Sequence, residues 1–174
     1  VRSGNIGSVR IAQKIGIEKF KSFLDKLGIT EKIDFDIEEV GSPLPLTWGK
    51  CKLATSSFGH GITTTALQLT KAYAIISNGG YLVKPTLIKQ ENFDKSKNNK
   101  ILSEGISSQV NSTLRKIVSS EEGTAGFANI PGYDVGGKTG TAQKTLMGKY
   151  SKEKVNTFVA VFPSKNPQYV LLVL

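Results

Sequence analysis

Apolar residues recur at three- and four-residue steps in four stretches of the chain: Val9, Ala12 and Ile15; Ile17, Phe20, Leu24 and Leu27; Leu69, Ala72, Tyr73 and Ile76; and Val110, Leu114, Ile117 and Val118. That spacing predicts amphipathic helices over Ser8–Ile15, from Ile17 to Leu27, after Thr65, and from about Ser107 to Ser119. Stop signals agree, because Gly16 breaks the first, Gly28 ends the second and Asn78-Gly79-Gly80 closes the third. Thr65 and Gln68 have the spacing of a capping box, in which each side chain bonds the other residue's backbone N–H. Near the C-terminus the pattern changes. Thr157–Phe162 and Tyr169–Leu174 are short apolar runs with strand character, and the Gly-rich stretch Gly132–Lys144 before them reads as an edge strand. Helices followed by late antiparallel strands predict an α+β domain.

The segments between are irregular. Glu31–Glu39 carries five acids and reads as an exposed loop, without the glycine and ligand spacing of a calcium loop. Gly41–Trp48 holds two prolines and reads as a crossing segment with Trp48 packed beneath it. Ala54 to Gly61 reads as a Gly-rich loop leading into the third helix. Tyr81–Lys89 reads as a short extended piece that Pro85 confines to an edge, and Asn92–Lys100 as a polar loop.

Composition narrows the function. At 174 residues and 39% hydrophobic content, the chain is long enough for a sizeable core. Only three of the 23 basic residues behind the net charge of +9 are arginine (Arg2, Arg10, Arg115), and the cluster Lys95, Lys97, Lys100 lacks interleaved aromatics, so no nucleic-acid site is expected. A basic face suits an anionic wall polymer or membrane surface instead. Cys51 is the single cysteine and His60 the single histidine, which leaves no metal cluster and no cofactor motif. His60 reads as a hydrogen-bonded loop residue. No stretch has the length and apolarity of a membrane span. Val1 is no start residue and the chain stops within an apolar run, so it reads as a piece of a longer protein.

The chemistry concentrates in GYDVGGKTGTAQK, residues 132–144. Lys138, Thr139 and Thr141 put a cation and two hydroxyls on little bulk, and Gly136, Gly137 and Gly140 would let a ligand backbone approach closely. With all three polar side chains along the exposed side, this suits an anionic, peptide-like ligand lying along the strand. Gly132, Gly137, Lys138 and Thr139 also satisfy the phosphate-loop pattern, which requires a buried strand before it and a helix opening at its end. Pro131 and the polar run after Thr141 supply neither.

Ser3-Gly4-Asn5, the block from Ser57 to Leu69 with Ala72-Tyr73-Ala74 and Asn78-Gly79-Gly80, Leu82-Val83-Lys84-Pro85-Thr86, Pro131-Gly132-Tyr133 and Lys138-Thr139-Gly140-Thr141-Ala142 together resemble the transpeptidase domain of penicillin-binding proteins, in particular the class B proteins of septal, cell-division type. The family carries S-x-x-K, then S-x-N, then K-T-G. Ala66 stands where relatives often have proline. The larger departure is that no S-x-x-K precedes Ser3. The match Ser151-Lys152-Glu153-Lys154 lies downstream of Lys138 in a Lys-rich stretch that reads as a loop, and is a decoy.

The resemblance implies a penicillin-binding protein and serine β-lactamase-like fold: an antiparallel sheet flanked by helices, with the K-T-G strand on its edge. Residues 1–174 would be part of that domain, incomplete at both ends, without the S-x-x-K segment and the closing C-terminal helix. The parent would be a peptidoglycan D,D-transpeptidase acting in division, held on the periplasmic side of the inner membrane by an N-terminal helix. Its partners would be stem peptides ending in D-Ala-D-Ala, β-lactams, and other division and wall-synthesis membrane proteins. It would need no cofactor or metal. Ser3 would relay a proton and Asn5 would bond the substrate amide and the absent catalytic lysine. Lys138, Thr139, Gly140 and Thr141 would line the carboxylate site, with the Thr141 N–H donating to the oxyanion. The alternatives are a non-catalytic truncated or split-gene module that keeps only a binding surface, and a phosphate-loop nucleotide-binding protein.

Overall fold

A computed structural model of the chain describes residues 2–37, 48–89, 99–146 and 149–174. The Pro-rich segment up to Thr47, Glu38 and Glu39, and residues 92–98 of the polar loop, with Lys95 and Lys97, lie outside the described residues. In chain order the elements are α1 (Asn5–Ile15), α2 (Ile17–Leu27), α3 (Lys50–Ser56), α4 (Ala66–Ser77), α5 (Glu104–Ser119), β1 (Gly136–Leu146), β2 (Lys149–Phe162) and β3 (Tyr169–Val173). Helices followed by an antiparallel sheet of order β1-β2-β3 make this the α+β class expected. Contacts group the residues into two compact units: Gly4–Ser107, and Ser108–Leu174 together with Arg2 and Ser3.

The first unit is helical, and its caps follow the sequence signals. Gly28 takes the left-handed conformation (φ 75°). Its N–H donates to the Asp25 carbonyl and that of Ile29 to the Leu24 carbonyl, so orphan carbonyls of α2 are satisfied as the chain turns back. Leu24 and Ile29 then join a core cluster with Leu27, Ala72, Ile75, Leu82 and Val83. The capping box of α4 forms as expected. Its buried face, however, centres on Ala72 and Ile75 with the fully buried Gln68, rather than on Leu69, Tyr73 and Ile76. Gln68 can occupy the core because every polar end is engaged. Its Oε1 accepts from the Thr65 N–H, its backbone N–H donates to Thr65 Oγ1, and its Nε2 donates to the Glu31 carbonyl.

Three local expectations are corrected here. The helices α1 and α5 each begin three residues earlier than their apolar period suggested, since first-turn residues face outward and carry no core signal. Residues 50–56 form α3, which takes in Ala54–Ser56 of the expected loop; a two-turn helix that buries only Leu53 and Ser56 leaves almost no period to read. Of Tyr81–Lys89, only Tyr81 makes a β-bridge, to Lys100. Over residues 31–37 the acidic segment is the exposed loop expected. Asp34 pairs with Lys84 at 2.9 Å, and Asp36 accepts from the Leu87 N–H and the Thr86 hydroxyl, so its acids hold the returning chain. Trp48 packs edge-on against Phe20, 6.2 Å between centroids; the Pro-rich segment it was expected to lie beneath is outside the described residues. His60 lies 5.3 Å from the Phe58 ring.

In the second unit, among the described residues, β1 pairs only with β2, and β2 with β3. Val159 and Val161 on one face of β2 are buried, with Leu114, Ile117 and Val118 of α5 also in the core. On the opposite face Phe162 stacks on Tyr169, and Tyr169, Leu171 and Val173 are each more than half exposed. The Ser151–Lys154 stretch belongs to β2 rather than to a loop, at a register shift where Gln143 pairs with Lys154 and Thr145 with Tyr150. Both strands of the hairpin run further than their apolar cores, because cross-strand backbone bonds extend a ribbon through polar sequence.

The lead-in to β1 is clamped by Arg115. Its Nε pairs with Asp134 Oδ1 at 3.0 Å, Nη1 donates to the Val135 carbonyl at 2.8 Å, and Nη2 donates to Asn129 Oδ1 at 3.0 Å. Asp134 sits at φ 48°, and its second oxygen and its carbonyl accept from the hydroxyl and N–H of the buried Ser164. A left-handed aspartate persists only where its surroundings over-determine it. Arg115→Ala is therefore expected to destabilise the chain by about 2 kcal/mol, and Arg115→Lys by nearly as much, because an ammonium lacks the planar fork. Urea unfolding followed by circular dichroism measures this; a lysine variant as stable as the parent would show that charge alone suffices.

Candidate active site

The site is built on β1. Lys138, Thr139, Gly140 and Thr141 stand opposite Val159, Phe158, Thr157 and Asn156 of β2. Since β1 is an edge strand among the described residues, alternate N–H and C=O groups along its far side have no sheet partner. The strand period of two puts Thr139 and Thr141 on one face and Lys138 on the other. That corrects the expectation that all three line one exposed side. Lys138 shares its face with the buried Val159 and is itself half-buried. Burial pushes its amine below the ordinary 10.5, because desolvation disfavours the charged form. Its Nζ donates to the Thr139 carbonyl at 2.5 Å.

The glycines serve the fold before they serve any ligand. A Cβ on Gly137 would meet the Phe158 ring at 2.6 Å and the Val159 carbonyl at 2.7 Å. One on Gly140 would meet Thr157 Oγ1 at 2.4 Å, and one on Gly136 would press on the backbone of Leu114 and Arg115. Close approach is real at all three, but the neighbours are the chain's own.

Each threonine hydroxyl has a partner that the sequence reading missed. Thr139 Oγ1 lies 3.2 Å from Thr124 Oγ1, and Thr141 Oγ1 donates to Asn156 Oδ1 at 3.2 Å. No local pattern marks Thr124 or Asn156. Strand pairing would have found Asn156 once the register was known, whereas Thr124 depends on how the turn after α5 folds back.

Ser3 belongs to the same compact unit as β1, and its neighbour Arg2 pairs with Glu122 at 3.1 Å, two residues before Thr124. Asn5 is the first residue of α1, in the helical unit. The structure thus groups Ser3 with Lys138, Thr139, Gly140 and Thr141, and assigns Asn5 to the other unit. No helix opens at Thr139; the strand continues to Leu146, so the phosphate-loop geometry is not present. No group of three or more potential metal ligands occurs among the described residues.

Comparison with known proteins agrees with this geometry. The family profile of the penicillin binding protein transpeptidase domain matches residues 1–174. The probable peptidoglycan D,D-transpeptidase FtsI of Caulobacter vibrioides is 32% identical over 181 residues, covering 99% of this chain and 31% of that protein. Stage V sporulation protein D of Bacillus subtilis is 32% identical over 188 residues, covering 98% of this chain and 28% of that protein. The chain thus spans about a third of the length of these relatives. Among solved structures, the transpeptidase domain of Burkholderia pseudomallei penicillin-binding protein 3 superposes with a TM-score of 0.87 at 28% identity, over 97% of this chain and 52% of that one. Penicillin-binding protein 3 of Mycobacterium tuberculosis in complex with aztreonam gives 0.87 at 27% identity, over 98% and 42%. With an edge strand carrying Lys-Thr-Gly-Thr, a full-length family match and this structural likeness, the chain belongs to the penicillin-binding protein transpeptidase domain family.

Proposed function

We propose that the protein containing this chain is a serine D,D-transpeptidase of cell-wall synthesis in division, and that this chain supplies its S-x-N and K-T-G elements. The observation that carries the reading is the open edge of β1, with Thr139 and Thr141 side by side on one face and the Lys138 charge across the strand. An extended peptide can add to such an edge by backbone hydrogen bonds, leaving its terminal carboxylate to the two hydroxyls, with the ammonium attracting it from across the strand. The substrate is a stem peptide ending in D-Ala-D-Ala. A β-lactam, whose amide and carboxylate imitate it, enters the same site. Penicillin-binding protein 3 of Mycobacterium tuberculosis carries aztreonam in one solved complex and ampicillin in another, which supports that ligand class.

In this reading a serine of an S-x-x-K segment upstream of Ser3 attacks the peptide carbonyl and forms an acyl-enzyme. Ser3 relays the proton to the leaving amine, Asn5 bonds the substrate amide, and the Thr141 N–H donates to the oxyanion. The exposed face formed by Tyr169, Leu171 and Val173 is where the family's closing helix would lie. A periplasmic position with a membrane anchor, and contacts with other division proteins, belong to the same proposal; no helix among the described residues is long and apolar enough to cross a membrane. A non-catalytic module is the competing reading.

The test is acylation of the full-length protein by labelled penicillin, followed by peptide mapping. An adduct on a serine upstream of Ser3 is expected, and a protein that acquires none is the non-catalytic module. Thr139→Val, nearly isosteric, deletes one hydrogen bond to a charged group and should slow acylation roughly tenfold to a hundredfold. An unchanged rate would remove β1 as the carboxylate site.

A further inference from the structure

We propose that Thr124 is a positioning residue for the carboxylate site, setting the direction in which Thr139 donates its proton; this rests on the reading of β1 given above. A hydroxyl has a single proton and two lone pairs. If Thr139 gives that proton to a substrate carboxylate, the remaining interaction with Thr124, 3.2 Å away, must run the other way, with Thr124 donating to Thr139 Oγ1. Thr124 can do this because it too is a hydroxyl. It then fills one lone pair of Thr139, biases the Thr139 O–H away from the turn and polarises it toward the anion. Thr141 is placed differently. Its proton goes to Asn156 Oδ1, an acceptor that draws the hydroxyl toward the sheet. Of the two threonines, Thr139 is therefore the one whose partner is a second hydroxyl, a group that can turn from acceptor to donor by rotating one proton.

The backbone on both sides of Thr124 is hydrogen-bonded to the end of α5. Ser120–Ala125 folds back on the C-terminal end of α5: the Gly123 N–H donates to the Ser120 carbonyl at 2.9 Å and the Ala125 N–H to the Ile117 carbonyl at 3.3 Å. Any side chain at position 123 would strike the Ile117 carbonyl at 2.0 Å, and Ala125 is buried. Thr124 thus stands between two anchored neighbours, as a supporting group must for a ligand-binding hydroxyl. The pair Arg2–Glu122 joins the residue before Ser3 to the same turn, although both side chains are exposed and the pair contributes little energy.

The test uses the full-length protein and two ligands, benzylpenicillin and its methyl ester, which lacks the carboxylate charge. Thr124→Val and Thr124→Ala should each slow acylation by benzylpenicillin roughly threefold to tenfold, and Thr124→Ser should restore it to within about twofold. The ester should react equally fast with all of them. In a Thr139→Val background, Thr124→Val should add no further loss, because the hydroxyl it directs is gone. If Thr139→Val slows benzylpenicillin while Thr124→Val and Thr124→Ala do not, this proposal is overturned and the carboxylate site stands. If the ester slows as much as benzylpenicillin, the turn is only a structural support and the proposal is again overturned. If Thr139→Val itself has no effect, the underlying reading of β1 is what fails.

Discussion

Incubated with excess labelled penicillin, the 174-residue chain is expected to gain no covalent adduct, although it carries two of the three family motifs. Residues that act as one catalytic unit do not share out the activity; in subtilisin, losing the nucleophile alone costs about as much as losing the whole triad. Here the nucleophile is also the atom to which an adduct would be bonded. Ser3 is a poor substitute, exposed on the stretch that precedes α1. Ser151 is poorer. Its match to S-x-x-K lies in β2, where extended backbone separates residues i and i+3 by roughly 10 Å, against about 5–6 Å on the helix that the motif requires. Its Oγ also accepts from the Glu153 N–H, a bond that does nothing to draw off its proton. Intact-mass measurement decides the matter, and an adduct mapped to Ser3 or Ser151 would overturn the assignment of the nucleophile. The apolar face of Tyr169, Leu171 and Val173 should meanwhile make this chain prone to associate, which light scattering would register.

In the full-length protein, Lys138→Ala is expected to slow acylation by benzylpenicillin on the order of a hundredfold. A unit charge 4 Å from a carboxylate is worth about 4 kcal/mol at the effective dielectric near a protein surface, and part of that is retained through Thr139 and Thr141. Half-burial makes the cation effective by limiting its competition with water, and the same burial lowers its affinity for a proton. The sign of the pH effect follows. A lysine below its ordinary value loses its charge earlier as pH rises, so the alkaline fall in acylation should begin at lower pH than an exposed lysine would give. Stopped-flow acylation rates across the alkaline range measure both effects. A Lys138→Ala protein that acylates at the parent rate would sink the claim that this amine holds the carboxylate.

How much was legible depended on the range of the interaction concerned. Helix stops at Gly16, Gly28 and Asn78, the capping box of Thr65 and Gln68, and the apolar cores of β2 and β3 could all be read, because each is decided by neighbours a few residues away. Lys138, Thr139 and Thr141 could be singled out as a candidate stretch, since a cation and two hydroxyls sit there among glycines on little bulk. Their disposition could not. The strand period of two sends Lys138 to the face opposite the threonines, and only pairing with β2 shows that this face is the buried one.

Other features needed the fold because their partners lie far along the chain. Gln68 counts as polar surface until it meets the carbonyl of Glu31, 37 positions away, and then belongs to the core. The glycines at 136, 137 and 140 look like room for a ligand until α5, Phe158 and Thr157 fill the space. Arg115 reads as one more surface cation until the turn before β1 wraps its guanidinium. The sequence by itself determined the main amphipathic helices, their stops and the apolar cores of β2 and β3, since those rest on local propensity and periodicity. Tertiary structure alone decided which face each residue occupies and which partners the Thr139 and Thr141 hydroxyls meet, because those rest on contacts that no short window contains.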